Sequence, residues 1–436
     1  MKNNIQRKII YALLGALALF GTGLSCGGGQ TAPTVTLNFW KPFDSSDKWS
    51  EIISAYNSAG RGAQIVYTQK SSESYERDLL EAQAAGRGPD IYSIHNDWTP
   101  RYRDKISPMP AEFLTLRELQ EVFVDVVADD FLMEDGKLYA LPGAVDVLGL
   151  YFNRDHLASA GIARPPSTWP ELVNMVPLLT KVGSSAQIEQ SAIALGTSNN
   201  VNNASDILQL LMLQSGVSFY DSSLRSSTIS RGNTDQSGET PGERTLKFFA
   251  QFADPTSRAY TWNAKLTNSI DAFAQSKTSM ILGFSHLMPE ISAKDAFLNF
   301  AATGAPQVSS DTTKVNYASY WGEAVWSGSR YPNTAWDFIL FATNYQQNKK
   351  YTETVRLPSS RRDVLAEQQR DSRLGVFADN VLSARSVAKP EAGQFEKVLH
   401  ELINDVSLNG IAPRSALQEA ERQINTLLNR YPLQPN

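Results

Sequence analysis

The run Thr34 to Trp40 alternates without a break, with Val35, Leu37 and Phe39 on one face and Thr34, Thr36 and Asn38 on the other. A period of two predicts a strand with one side in a core. Trp49, Ile52, Ile53 and Tyr56 then fall at i, i+3, i+4 and i+7, the stripe of an amphipathic helix, and Ile65 to Thr68 reads as a second strand. Tyr75, Leu79 and Gln83 mark another helix, stopped by Gly86-Arg87-Gly88-Pro89, after which Asp90 to Ile94 supplies a third strand. Strands separated by helices are joined by crossovers, and crossovers make a parallel sheet covered by helices. The order β-α-β-α-β therefore places the chain in the α/β class.

The alternation restarts at Val147 to Phe152, an apolar strand followed by a short helix that stops at Gly161. Thr168 with Glu171 three residues later fits a capping box, in which each side chain satisfies an amide of the helix start. Ala192 to Leu195 reads as a strand, and Ser205 to Gln214 as a helix ended by Gly216. From Asp221 to Glu243 the chain is rich in Ser, Thr, Gly and Asn without a periodic apolar face, which predicts a surface excursion. Helices at Thr245–Phe252 and Ser269–Ala274 and strands at Ser279–Gly283, Leu298–Ala301 and Tyr317–Val325 follow. The remainder is helical, with Trp336, Ile339, Leu340 and Thr343 on one face and an amphipathic stretch from Ala416 to Leu428. Two such regions in 436 residues give room for two domains, each with its own core.

At the N-terminus, Lys2, Arg7 and Lys8 precede an apolar run from Ile9 to Phe20 and the small residues Gly21 to Ser25, the order of an export signal. The run is too short for a permanent bilayer span. Cys26 follows directly and is the only cysteine, so no disulfide can form within the chain. With Ser25 before it and Gly27-Gly28-Gly29-Gln30 behind, the site resembles a bacterial lipobox, although Gly23 stands where Leu is usual and Leu24 lies one step later. That resemblance implies a signal peptide over 1–25, a lipid anchor on Cys26, a flexible tether over 26–33, and a location on the outer face of the cytoplasmic membrane or in the periplasm.

The formal charge is −5, and loss of three cationic residues with the signal would make it −8. Such a chain is no general nucleic-acid binder. The four histidines, His95, His156, His286 and His400, are isolated from one another, so no metal-ligand spacing occurs, and neither a nucleophile elbow nor a phosphate-binding glycine loop is present. No metal, cofactor or catalytic residue is expected.

Several stretches, in this order and spacing, look like the extracellular solute-binding proteins of the carbohydrate class, the group that includes maltose-binding protein. They are Leu37-Asn38-Phe39-Trp40, Ala85-Gly86-Arg87-Gly88-Pro89-Asp90-Ile91, Gly136-Lys137-Leu138-Tyr139-Ala140-Leu141-Pro142, Leu150-Tyr151-Phe152-Asn153-Arg154 with Ala160-Gly161-Ile162, Pro166-Ser167-Thr168-Trp169, and Asp271-Ala272-Phe273-Ala274 before Ser279-Met280. The resemblance implies a periplasmic-binding-protein type II fold, two α/β lobes joined by a hinge with a ligand cleft between them. It also implies a monomer that serves the membrane permease subunits of an ABC importer and is not an enzyme. Mapped onto this chain, lobe 1 would hold 34–144 plus 265–320, and lobe 2 would hold 145–264 plus 321–436.

In open α/β sheets ligands sit beyond the carboxyl ends of strands. That rule selects Trp40, Phe43 and Asp44 after the first strand, then His95, Asn96, Asp97 and Trp98 after the third. Further on it selects Asp146 at the crossing, Ser198 and Asn199, and Phe284. Trp262 and Trp321, the latter beside Gly322, lie at element ends near polar residues and are candidates for stacking. Arg361 or Arg362 could reach the cleft. Trp49, Trp169, Trp326 and Trp336 are read as packing residues. Aromatic faces for C–H surfaces, together with carboxylates and amides for hydroxyls, suit a mono- or oligosaccharide. The same set leaves open a non-sugar solute, such as a polyol phosphate, a peptide or a polyamine, and a secreted glycoside hydrolase.

Overall fold

The computed structural model describes residues 35–184 and 187–433. The export signal, Cys26 and the tether lie outside them. In chain order the strands are β1 (Val35–Pro42), β2 (Ala63–Lys70), β3 (Ile91–His95), β4 (Asp146–Asn153), β5 (Lys181–Val182), β6 (Ile188–Gln190), β7 (Met280–Phe284), β8 (Phe300–Gly304), β9 (Asn316–Ser319), β10 (Trp321–Val325) and β11 (Ala384–Arg385).

The first sheet has the order β10-β3-β1-β2. β1 is parallel to β2 from Val35 opposite Ala63 to Pro42 opposite Lys70, and parallel to β3, as the two intervening helices require. The alternation of β1 is realised: Leu37 and Phe39 are fully buried, and the Phe39 ring meets Trp49, Tyr67 and Phe338 edge-on at 4.9, 5.3 and 5.9 Å. The helix Ser46–Ser58 supplies Trp49, Ile52 and Tyr56 to this core, and those three are the buried positions of its apolar stripe.

The second sheet, β11-β9-β4-β7 with β8 also on β4, departs from the parallel expectation. β4 is antiparallel to β7, β8 and β9. It enters straight from the crossing at Ala144–Val145 instead of from a βαβ crossover, so nothing forces it to run with its neighbours. Ala192–Leu195, expected as a strand, is extended beside β7 and bonded to it through the amide of Ala194 and the carbonyl of Met280 at 3.2 Å.

The apolar run Tyr317–Val325, expected as one strand, is two strands in two sheets. β9 pairs with β4 and β11 in the second sheet, β10 pairs antiparallel with β3 in the first, and Tyr320 is the crossing between them. This differs from the lobe allocation drawn from the sequence in two segments, 265–320 and the stretch from Trp321 to about residue 357. β7, β8 and β9, all within 265–320, belong with the second sheet, whereas the chain from Trp321 returns to the first. The helices Pro332–Ala342 and Tyr345–Val355 pack on the helix Ser46–Ser58, while Gly375–Val381 covers β4 and β8 and Ala392–Ser407 joins the helices Ala204–Gln214 and Pro241–Ala250. Residues 321 to about 357 are therefore part of the first unit, and those from about 375 onward part of the second.

The polar stretch 221–243 lies along the C-terminal helix Pro413–Arg430. The Ser227 amide donates to Asn425 at 2.8 Å, the Ser230 amide to Glu421 at 2.9 Å, and Ile229 is fully buried.

Candidate functional site

A cavity of about 360 Å³ opens where the ends of the two sheets face each other. Its first wall is the end of β1 and the turn after it, Lys41 to Asp44, with Trp321 at the start of β10; its second is Asp146 at the start of β4, Ser319 at the end of β9, and His286 just after β7. Tyr351 and Arg356, at the end of the helix Tyr345–Val355, close the side.

The first wall is knitted together by buried polar contacts. The Lys41 ammonium is buried and donates to Glu323 at 2.6 Å and to Ser93 at 3.4 Å, with Asp44 3.7 Å away. Burial alone would lower its pKa; the Glu323 and Asp44 carboxylates outweigh that and hold it above the usual lysine value. Asp44 accepts from the Trp49 indole at 3.1 Å and the Tyr351 hydroxyl at 2.7 Å. Between them Phe43 adopts φ +66°, a left-handed conformation costly for a residue with a Cβ, and this swings its ring 61% exposed into the opening. The ring meets Trp321 edge-on at 5.5 Å. Trp321 in turn leans edge-on against Trp98, 5.2 Å away, and Trp98 is stacked between Tyr75 and Tyr102 at 6.3 and 5.2 Å. A half-exposed indole is thus backed by a packed column of rings.

The second wall is organised by Asp146. Its carboxylate is 5% exposed and accepts from the amides of Val147, Ser285 and His286 at 2.9, 2.8 and 3.1 Å, and its Oδ2 lies 3.0 Å from His286 Nδ1. The imidazole is stacked on Phe284 at 5.8 Å. Burial alone would lower the His286 pKa; Asp146, and after it Glu290, reverse this and leave it above the ordinary histidine value.

Of the residues selected from sequence, the structure brings Phe43, Asp44, Asp146 and Trp321 into this cavity. The others stand elsewhere. Trp40 is half-buried on the outer side of β1 beneath the Lys70 ammonium, 3.9 Å from the ring centroid. Asn96 is buried and bonded to Asp130 and to the backbone of Tyr320. Asp97 is buried between His95 and Lys389, Trp98 lies behind Trp321, and Phe284 lies behind His286. Asn199 is exposed and bonded to Asn404 and Ser198. Trp262 is fully buried, its indole N–H donating to Asn200 at 3.1 Å. Gly322 faces Phe131, whose Cζ would lie 2.7 Å from an added Cβ. The Arg361 guanidinium is held by Asp363 and the Thr343 carbonyl over the Phe123 ring.

Five of the wall residues named above fall outside the sequence-based selection: Lys41, Ser319, His286, Tyr351 and Arg356. Lys41 and His286 follow from the strand-end rule applied one or two residues more widely. Tyr351 and Arg356 sit on a helix and carry no strand-end signal. Arg356 caps the helix Tyr345–Val355 in the left-handed region, φ +57° and ψ +47°. A larger groove of about 800 Å³ adjoins the cavity between the helix Leu287–Lys294 and the helices Tyr345–Val355 and Arg362–Gln368. Its rim carries ordinary surface ion pairs such as Lys349–Glu367 and no aromatic ring, so the smaller cavity with its strand ends is the better site. Among the described residues no cluster of three or more His, Cys, Asp or Glu could hold a metal ion, and no helix is long and apolar enough to cross a membrane.

Residues 51–374 match the family described as bacterial extracellular solute-binding protein. A candidate binding protein of Brucella abortus (strain 2308) is 24% identical over 166 residues, 38% of this chain and 39% of that protein. The alignment thus spans well under half of that relative. Among solved structures, the cyclic alpha-maltosyl-1,6-maltose binding protein from Arthrobacter globiformis has a TM-score of 0.75 at 17% identity, covering 91% of this chain and 100% of that one. The sugar-binding protein MalE from Xanthomonas citri gives 0.73 at 17% identity, over 91% and 98%. A solute-binding protein from Thermotoga lettingae TMO bound with alpha-D-tagatose gives 0.69 at 18% identity, over 90% and 100%. At these identities the likeness is one of fold, the type II periplasmic-binding-protein architecture.

Proposed function

Because the chain belongs to the bacterial extracellular solute-binding proteins, we propose that it captures a sugar or oligosaccharide between its two sheets and delivers it to the permease of an ABC importer. The observation that carries the sugar reading is the corner made by Phe43 and Trp321 beside Asp44. An exposed aromatic pair offers a flat apolar face to the C–H side of a pyranose, while charged and hydroxyl groups at its edge take the ring hydroxyls. Phe43, Asp44, Asp146 and Trp321, with Lys41, His286, Tyr351 and Arg356, are the proposed contacts.

The two walls belong to different sheets, so a ligand touching both gains its full set of contacts only when the sheets approach, and binding favours closure. Asp44 and Asp146 already accept hydrogen bonds from protein donors, which suits holding a substrate over transferring protons to it. Export and lipid anchoring through Cys26 complete the proposal; an unmodified Cys26 thiol in mass spectra of the mature protein would remove the anchor.

The test is calorimetric titration of the purified protein with mono- and oligosaccharides, alongside polyamines, short peptides and polyol phosphates, with small-angle scattering at saturation. Heat on a sugar together with a smaller radius of gyration is the expected result. Heat only on a non-sugar, new reducing ends in the sugar samples, or no compaction would each overturn the corresponding part.

A further inference from the structure

The inner cavity and the larger groove are not separate sites. They share Arg356 on one side and Pro289 on the other, and the consecutive residues Ser285 and His286 divide between them, Ser285 lining the groove and His286 the cavity. The inner space alone, about 360 Å³, is near the lower end of what small-ligand sites enclose, whereas the two joined exceed the roughly 1,000 Å³ upper end.

Two polar groups at the junction are unspent. Ser285 is 2% exposed, yet its hydroxyl is buried without a hydrogen-bond partner. Buried hydroxyls are nearly always paired, so an unpaired one in a groove wall is a place where a ligand group can be received. Arg356, in contrast to Lys41, Lys349 and Arg361, makes no side-chain hydrogen bond or ion pair among the described residues. Its left-handed backbone, at a helix end where glycine is usual, aims the side chain from a fixed point. A guanidinium offers five donors in a planar fork, enough to bridge hydroxyls of two successive sugar units.

We propose that the site takes an extended oligosaccharide of three or more units, whose terminal unit lies on the Phe43–Trp321 corner and whose following units pass Arg356 and run along Ser285 into the outer groove. This rests on the sugar reading above and makes Arg356 and Ser285 determinants of ligand length.

The experiment is calorimetry with the malto-, cello-, manno- and xylo-oligosaccharide series from one to five units, on the unaltered protein and on the Arg356→Ala and Ser285→Ala variants. Both substitutions remove groups without cavity-filling roles, and thermal unfolding checks that the fold is intact. In the series that binds, affinity is expected to rise at least tenfold between two and three units. Each variant is expected to lose most of that rise, and Ser285→Ala, which lines only the outer groove, to bind the shortest ligand within about twofold of the unaltered protein. Affinity flat with length, or both variants weakening all lengths alike, overturns this proposal and leaves the sugar reading standing. No binding in any series overturns the sugar reading itself, and this inference with it.

Discussion

The Lys389 ammonium and the Asp97 carboxylate lie 3.0 Å apart across the boundary between the two sheets, their side chains 3% and 2% exposed. The contact is a close ion pair and not an aligned hydrogen bond. Asp97 follows β3 of the first unit and Lys389 follows β11 of the second. Lys389 also stands 3.0 Å from Glu396, while Asp97 is 2.7 Å from His95 Nδ1, and His95 Nε2 is 2.9 Å from Ser319. Burial alone would pull the Lys389 pKa down; Tyr317, Asp97, Asp206 and Glu396 around it reverse that and hold it well above the ordinary value. Parting the units here would separate this buried pair, leaving Lys389 with Glu396 and Asp97 with His95.

Removing one member of such a pair leaves an uncompensated buried charge. Lys389→Met is expected to cost about 3–5 kcal/mol of stability, and the Asp97→Asn/Lys389→Met double variant to recover most of it. Urea unfolding of Lys389→Met, Asp97→Asn and the double variant measures the coupling; strictly additive losses would mean that the pair carries none. Burial opposes the charge on Asp97, but His95 and then Lys389 more than offset it and hold the pKa below the usual aspartate value. Its contribution is therefore present above about pH 4 and is lost as pH falls through the depressed value.

Asp130 behaves in the opposite sense. It accepts from Asn96 at 3.0 Å and Tyr320 at 2.6 Å in the first unit and from Ser386 in the second, yet burial, with Asp129 adding repulsion, raises its pKa to about 7. The folded value exceeds the unfolded one, so the native state holds a proton between about pH 4 and 7, and stability falls as pH rises through that window. Asp130→Asn removes the titration while keeping an acceptor toward Tyr320 and a donor toward Ser386. It should flatten the stability profile between pH 5 and 8 and stabilise the protein at pH 8 by no more than about 2 kcal/mol, since the carboxyl is partly solvated. An unchanged slope would place the titration elsewhere.

The sequence showed individual elements well and their partners poorly. β1 could be read residue by residue because its period of two is local, and so could the helix stripe of Trp49, Ile52 and Tyr56. Tyr317–Val325 could not, because nothing in an apolar run says that its two halves pair with different sheets; the polar contacts that fix the break, from Asn96 to the amide and carbonyl of Tyr320, come from 224 residues away. The lobe allocation differs at 265–320 and at 321–357 for the same reason. In the site, Phe43, Asp44 and Asp146 could be read because they abut strand ends. Arg356 and Tyr351 reach the cavity only through packing of the helix Tyr345–Val355.

Gly322 was chosen for its place beside Trp321, but its lack of a side chain serves packing. A Cβ there would sit 2.7 and 3.0 Å from two carbons of the fully buried Phe131 ring and 3.1 Å from the Ala140 Cβ, none of which can swing away. Gly322→Ala is expected to lower stability by about 1–3 kcal/mol in thermal unfolding while leaving sugar affinity within a few-fold. Selective loss of binding at unchanged stability would return this position to the site.

Trp262 and Trp321 were equivalent in the sequence, both aromatic and both beside polar neighbours at element ends, and burial separates them. Trp262 is fully enclosed with its one donor spent on Asn200, so Trp262→Ala opens a large cavity and should cost about 3–5 kcal/mol. Trp321 keeps part of its surface in the cavity and is supported from behind by Trp98 and Tyr75. Trp321→Ala should therefore weaken sugar binding at least about tenfold, the loss of one stacked ring, with a smaller loss of stability than the other variant. Chemical unfolding and calorimetry on the two variants give opposite rankings if burial sets their roles. The same ranking in both assays would mean that Trp321 is a packing residue and that the ligand sits elsewhere in the cleft.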